Sequence, residues 1–230
     1  MLIEWLILIP CIILSYWASS NVNNTFNRYS KQISARRLTG AQAAQRVLSA
    51  NGVWGVRIER VSGNLTDHYD PQANVIRLSD SVYDNCSTAA IGVACHEAGH
   101  AVQYAMNYAP IKLRAAIIPV TNIGSRLAMP LIVIGVALTT LSVLFYGLVY
   151  VGILCFSLSL VFQLVTLPVE FNASSRALKA IEDGDLLTDS ELVGARKTLR
   201  AAAMTYVAAT AVSLGQLVRL LLIFGRRRRD

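Results

Sequence analysis

Cys95-His96-Glu97-Ala98-Gly99-His100-Ala101-Val102-Gln103-Tyr104 contains the pattern His96-Glu97-x-x-His100. Residues four apart share one face of a helix, so both imidazoles can point at one metal ion. Glu97 follows the first histidine and stands near that metal's open side, where a carboxylate can take a proton from water held by the metal. The flanks read as helix. Ser87-Thr88-Ala89-Ala90 offers an N-cap, and Ile91, Val93, Ala94 and Val102 keep an apolar face. Ala98 and Gly99 are small and are expected to leave room above the helix for metal and substrate. The plain alternative is a buried histidine pair with a solvated glutamate. Against it, the chain has only three histidines, and two of them stand here at ligand spacing in an apolar, helix-forming context.

The wider chain has 230 residues, of which 54% are hydrophobic, and a mean hydropathy of +0.46. That is too apolar for an ordinary soluble domain and implies a membrane protein with one modest soluble part. The net charge of +7 comes partly from Arg226 to Arg229. No basic run is interleaved with aromatics, so the charge points to anionic lipid and cytoplasmic loops, not to nucleic acid. Cys11, Cys86, Cys95 and Cys155 show no paired spacing and read as small hydrophobes. Cys95 adjoins His96, but adjacent helical residues point about 100° apart, which favours packing over ligation.

Residues 1–19 are an apolar run long enough to span a bilayer with slight tilt. No basic region precedes it, whereas Arg28, Lys31, Arg36 and Arg37 follow. An uncleaved anchor is expected, with its N-terminus outside and the next segment in the cytoplasm. Residues 21–37 are polar and expected to be helical or extended along the membrane surface. Thr39 should cap a helix that ends at Asn51-Gly52. Residues 56–61 alternate and predict a strand, and residues 74–79 predict the next. Between them, Asp67-His68-Tyr69-Asp70-Pro71 reads as a polar loop or bulge. Val75 to Ser79 is the expected edge strand beside the metal helix, able to pair with an extended peptide. His68 could be a ligand, a donor lining the site or a structural histidine in a turn.

Asn107-Tyr108-Ala109-Pro110 should break the metal helix, and residues 111–126 suggest an amphipathic interfacial segment. Residues 127–169 carry no charge and are about twice one span, which predicts a hairpin of two membrane helices. Its turn is expected near Tyr146-Gly147 to Tyr150-Val151-Gly152, with tyrosines at the headgroups. Two crossings return the chain to the side of His96 and His100. There stands Pro168-Val169-Glu170-Phe171-Asn172-Ala173-Ser174. A zinc site that leaves a position for water needs a third protein ligand, and Glu170 is the first acid after the apolar run. Asn172 and Ser174 lie within a turn or so, where they can support the ligands. The competing reading of Glu170 is an acid favoured by the macrodipole of a new helix. Thr188 should cap an amphipathic helix to Lys197. Residues 201–224 are apolar but interrupted by Gln216 and Arg219, and suit either a fourth span or an interfacial helix.

Taken together, these pieces resemble the bacterial neutral zinc metallopeptidase family of membrane proteins, the YugP-like membrane proteases. They are Leu65-Thr66-Asp67-His68-Tyr69-Asp70-Pro71, Ile76-Arg77-Leu78-Ser79, Val82-Tyr83, the stretch from His96 to Gln103, and Leu167-Pro168-Val169-Glu170-Phe171-Asn172-Ala173-Ser174. They are similar, more distantly, to HtpX-type membrane proteases. The resemblance covers nearly the whole chain. It implies an α+β, zincin-like integral membrane metallopeptidase, mainly helical, with a small sheet beside the HExxH helix. It also implies one zinc ion per chain on His96, His100 and Glu170, with Glu97 as the catalytic base. In such proteins an aspartate is common after the third ligand, and here Asn172 and Ser174 occupy that stretch. The expected division is an anchor at 1–19, a catalytic domain at 20–126, the hairpin at 127–169, a third-ligand segment at 170–200, an apolar helix at 201–225 and a basic tail at 226–230. The expected function is a zinc endopeptidase of the bacterial cytoplasmic membrane, its site on the cytoplasmic side, acting on membrane-proximal or misfolded polypeptides. The alternative is a non-catalytic zinc-binding scaffold or pseudo-protease.

Overall fold

The computed structural model describes residues 2–225 and, for side chains, residues 6–225. The predicted basic tail lies outside them. The order is α1 (Leu2–Tyr29), α2 (Gly40–Ala50), β1 (Arg57–Val61), β2 (His68–Asp70), β3 (Val75–Ser79), α3 (Thr88–Ala105), α4 (Ala109–Leu138), α5 (Tyr146–Asp183) and α6 (Asp189–Gly225). The fold is mainly helical α+β, as the resemblance implied. The chain forms two compact units. Among the described residues, one comprises 2–17, 113–167 and 206–225; the other comprises 18–112 and 168–205.

The first unit is apolar. Among the described residues, four helices are long and apolar enough to cross a membrane. Their outward faces carry Ile9, Ile12, Ile13, Val133, Leu154, Val161 and Leu221, all exposed. Apolar surface on that scale suits lipid and not water. Inside, Ile132, Val149, Ile153, Leu220 and Phe224 form a core from α4, α5 and α6. The hairpin turn falls earlier than expected, between Leu138 and Tyr146. Thr139 and Thr140 donate to carbonyls one turn back, and Ser142 Oγ accepts from Leu144 N in a short 3-10 turn. Gly152, read as part of the turn, lies instead inside α5. A Cβ there would stand 2.8 Å from the Ala128 carbonyl oxygen of α4. Glycine in this apolar setting marks close helix packing.

The second unit carries the polar segments. Thr39 caps α2 in a full capping box with Gln42, and Gly52 takes positive φ just past its end. The sheet order is β1-β3-β2, parallel between β1 and β3 and antiparallel between β2 and β3. Two expectations are corrected here. The segment read as a loop contains the short strand β2, too brief and polar to show alternation. It is fixed from outside: Asp67 accepts bonds from Ser79 N and Oγ, and Asp70 pairs with Arg77 at 2.9 Å. And β3 is the central strand, not an edge, because both of its hydrogen-bonding sides are taken. β2 is the outer strand that packs against α3, with Tyr69 and Tyr104 rings 5.6 Å apart.

α3 is the buried centre of this unit. Ser87 caps it, accepting from Ala90 N. Ile91, Ala94, Cys95 and Val102 join Leu48, Ile76, Leu78 and Ile181 in one core. Burial pushes the Cys95 thiol far up, so it packs as a neutral group. α1 runs on to Tyr29, and α6 is unbroken, so no boundary separates the predicted Thr188–Lys197 helix from the apolar helix after it. Likewise the expected interfacial segment at 111–126 is part of the continuous α4.

Gly99 has a use other than the one expected. The space above it is filled by α5, not left open. A Cβ at Gly99 would lie 2.8 Å from the Ala173 carbonyl oxygen. Backbone cannot turn aside as a side chain can. Gly99→Ala is therefore expected to lose about 1–3 kcal/mol, the usual cost of overpacking. Denaturant unfolding of metal-free protein would measure it.

Candidate metal centre

The two histidines project from one face of α3, with ring centroids 4.7 Å apart and planes nearly perpendicular. Glu170 comes from α5, directly after the end of the long apolar run. Its burial is nearly complete, with 2% of the residue exposed. His96 Nε2 lies 3.3 Å and His100 Nε2 3.6 Å from the same oxygen, Glu170 Oε2. Among the described residues, His96, His100 and Glu170 are a group able to hold a metal, their ligand atoms all within 4.8 Å of one another.

These distances can be set beside two readings. A charge-assisted N–H···O bond made for its own sake closes to about 2.7–2.9 Å. Tetrahedral zinc with bonds of ~2.0–2.2 Å sets its ligand atoms about 3.3–3.6 Å apart. The separations of 3.3 and 3.6 Å fall in the second range. The site also favours positive charge. Burial alone would depress the His100 imidazolium, but the Glu170 carboxylate beside it and the charge of Glu97 carry its pKa above the ordinary value.

The far sides of both rings are held. Ser174 Oγ bonds His96 Nδ1 at 3.1 Å. His100 Nδ1 meets Gln103 Oε1 at 3.0 Å. Which end of the Gln103 amide faces the ring follows from its other contacts. Its Nε2 donates to the Val169 carbonyl at 2.8 Å and to Asn172 Oδ1 at 3.0 Å, both acceptors. The oxygen is therefore the end that faces His100. His100 Nδ1 must carry a proton, which leaves Nε2 as the nitrogen that faces Glu170 and can give its lone pair to a metal ion. The donor set, its spacing and its tautomer all fit a tetrahedral zinc-type cation.

Glu97 is buried, with 8% exposed, and lies outside the ligand trio. Its charge acts on both His100 and Asp67. Burial raises the Asp67 carboxyl's pKa, against the lowering effect of two bonds from Ser79. His68 is on β2, exposed, and is not one of the trio. Its Nδ1 lies 2.9 Å from the Thr66 carbonyl oxygen, and its Nε2 lies 3.5 Å from Arg77 Nη1. Asn172 and Ser174, marked as possible site-lining residues, make the contacts just given. Sequence reasoning missed Gln103 as a partner of the centre. The available signal was its place three residues after His100, a polar side chain on a helix that is otherwise apolar around it.

A family profile described as "Putative neutral zinc metallopeptidase" matches residues 4–225. A protein of Bacillus subtilis (strain 168) described as "Putative membrane protease YugP" is 46% identical over 211 residues, covering 92% of each chain. No solved structure matches.

Proposed function

Because the chain belongs to the neutral zinc metallopeptidase family, we propose that it is a membrane-embedded zinc endopeptidase with His96, His100 and Glu170 holding one zinc ion and Glu97 as general base. The convergence of two imidazole nitrogens on one buried carboxylate oxygen carries this reading. Zinc in such a site polarises a peptide carbonyl and brings the pKa of water near 7. Glu97 accepts the proton of the attacking water at its carboxylate and passes it to the departing amine. Gln103 and Ser174 hold the two rings from behind while this happens.

An extended substrate would pair with the open edge of β2, the outer strand against the metal helix. Membrane-proximal or misfolded polypeptides suit such pairing, since their backbone groups are unsatisfied. Arg28, Lys31, Arg36 and Arg37 follow the first span, and this positive charge supports a cytoplasmic side for the site. Two crossings by α4 and α5 would return the chain to that same side, in keeping with the approach of Glu170 to His100. The alternative, a zinc-binding scaffold without activity, drew on Asn172 and Ser174 standing where an aspartate is common. Both side chains support the histidines, directly or through Gln103.

The test is cleavage of an unfolded polypeptide by purified, detergent-solubilised protein. Cleavage should appear, stop on chelation and return with added zinc. Zinc-loaded protein that leaves the polypeptide intact would favour the scaffold.

A further inference from the structure

We propose that Arg176 is a positioning residue for His100, acting through the amides of Asn172 and Gln103; this rests on the metal-centre reading above. Arg176 follows Asn172 by one turn of α5. Its Nε donates to Asn172 Oδ1 at 2.8 Å, its Nη1 approaches Met106 Sδ at 3.1 Å, and its guanidinium carbon lies 5.9 Å from the Tyr108 ring centroid. Among the described residues no carboxylate pairs with it, so its charge is spent on these three groups.

The argument is one of donors and acceptors. A guanidinium can only donate. It therefore fixes which end of the Asn172 amide points inward. With Oδ1 held by Arg176, the same oxygen is presented to Gln103 Nε2. Gln103 is fully buried, so water cannot rescue an ill-matched amide. Val169 O takes one Gln103 N–H and Asn172 Oδ1 takes the other, leaving Oε1 for His100 Nδ1. Without Arg176, Asn172 can turn its own NH2 inward. Donor then meets donor, Gln103 must swing away, and His100 loses the partner that sets its tautomer. The sulfur of Met106 and the ring of Tyr108 keep the guanidinium in place.

A double-mutant cycle tests this, read by zinc affinity in competition with a chelating dye. Arg176→Met keeps the aliphatic stem and removes every donor. It should weaken zinc binding about tenfold, the lower end of the range for groups that support metal ligands. Asn172→Ala removes the amide through which Arg176 would act, so nothing is left at residue 172 for it to orient. In that background Arg176→Met should change zinc affinity less than about twofold, because the coupling is through residue 172. An equal loss in both backgrounds, or no loss in the first, overturns the inference, since a merely structural Arg176 would not depend on residue 172. Should Arg176→Met fail to fold, Tyr108→Leu goes through the same two backgrounds with the same expectation at smaller size. Wild-type protein that takes up no zinc would overturn the metal-centre reading itself, an outcome separate from the others.

Discussion

Glu170→Ala is expected to strip the chain of its zinc while leaving the fold in place. Wild-type protein should hold one zinc ion per chain, and the variant close to none. Losses of about 10–100-fold follow from removing a group that merely supports a ligand. Removing the third ligand itself should cost more than that upper value, because two imidazoles alone seldom retain zinc against a competing chelator. The fold should survive because α5 is anchored by contacts independent of the carboxylate. Ala173 lies against Gly99, and Ala177 and Ile181 belong to the core around α3. The variant also removes a negative charge from beside His100, so the metal-free site loses part of what favours its positive charge. Metal analysis beside circular dichroism separates the two effects. A folded variant with full zinc content would mean that Glu170 is not a ligand, and the proposed reaction would lose its centre.

How much of this was legible in the sequence depends on how far apart the cooperating residues lie. Whatever is written within one helical turn could be read. The spacing of His96 and His100, the caps at Thr39 and Ser87, and the apolar runs are patterns of this kind. The proposal of Glu170 needed one further step, a count of membrane crossings, because seventy residues separate it from His100 by their numbers. The misreadings around the site are tertiary. β2 is only three residues long and is held by Asp67 and Asp70 reaching to β3, so no local period could announce it. β3 looked like an edge because strand order is not written in alternation. Gly99 and Gly152 looked like open space and turn, and each proved to be a place where another helix backbone comes close. Gln103 was overlooked for a related reason. Its meaning comes from Val169 and Asn172, which reach it from a different helix.

Glu97→Gln should retain zinc and lose hydrolysis. The amide has almost the shape of the carboxylate and cannot take up a proton at neutral pH. A positioned general base contributes about 10²–10⁴-fold, so kcat should fall by that factor. KM should change little, because Glu97 is not among the groups proposed to pair with the substrate backbone. Zinc content should stay near one per chain, since the ligand trio is untouched. Its affinity should fall only modestly, because the lost charge acts on His100 without ligating. Loss of that charge also relieves the repulsion that helps raise the Asp67 carboxyl, so any structural effect should be slight. The pair of variants is therefore more informative than either alone. Glu170→Ala should lose metal and activity together, whereas Glu97→Gln should lose activity alone. If Glu97→Gln cleaves at the wild-type rate with zinc bound, another group accepts the proton and the role given to Glu97 is wrong.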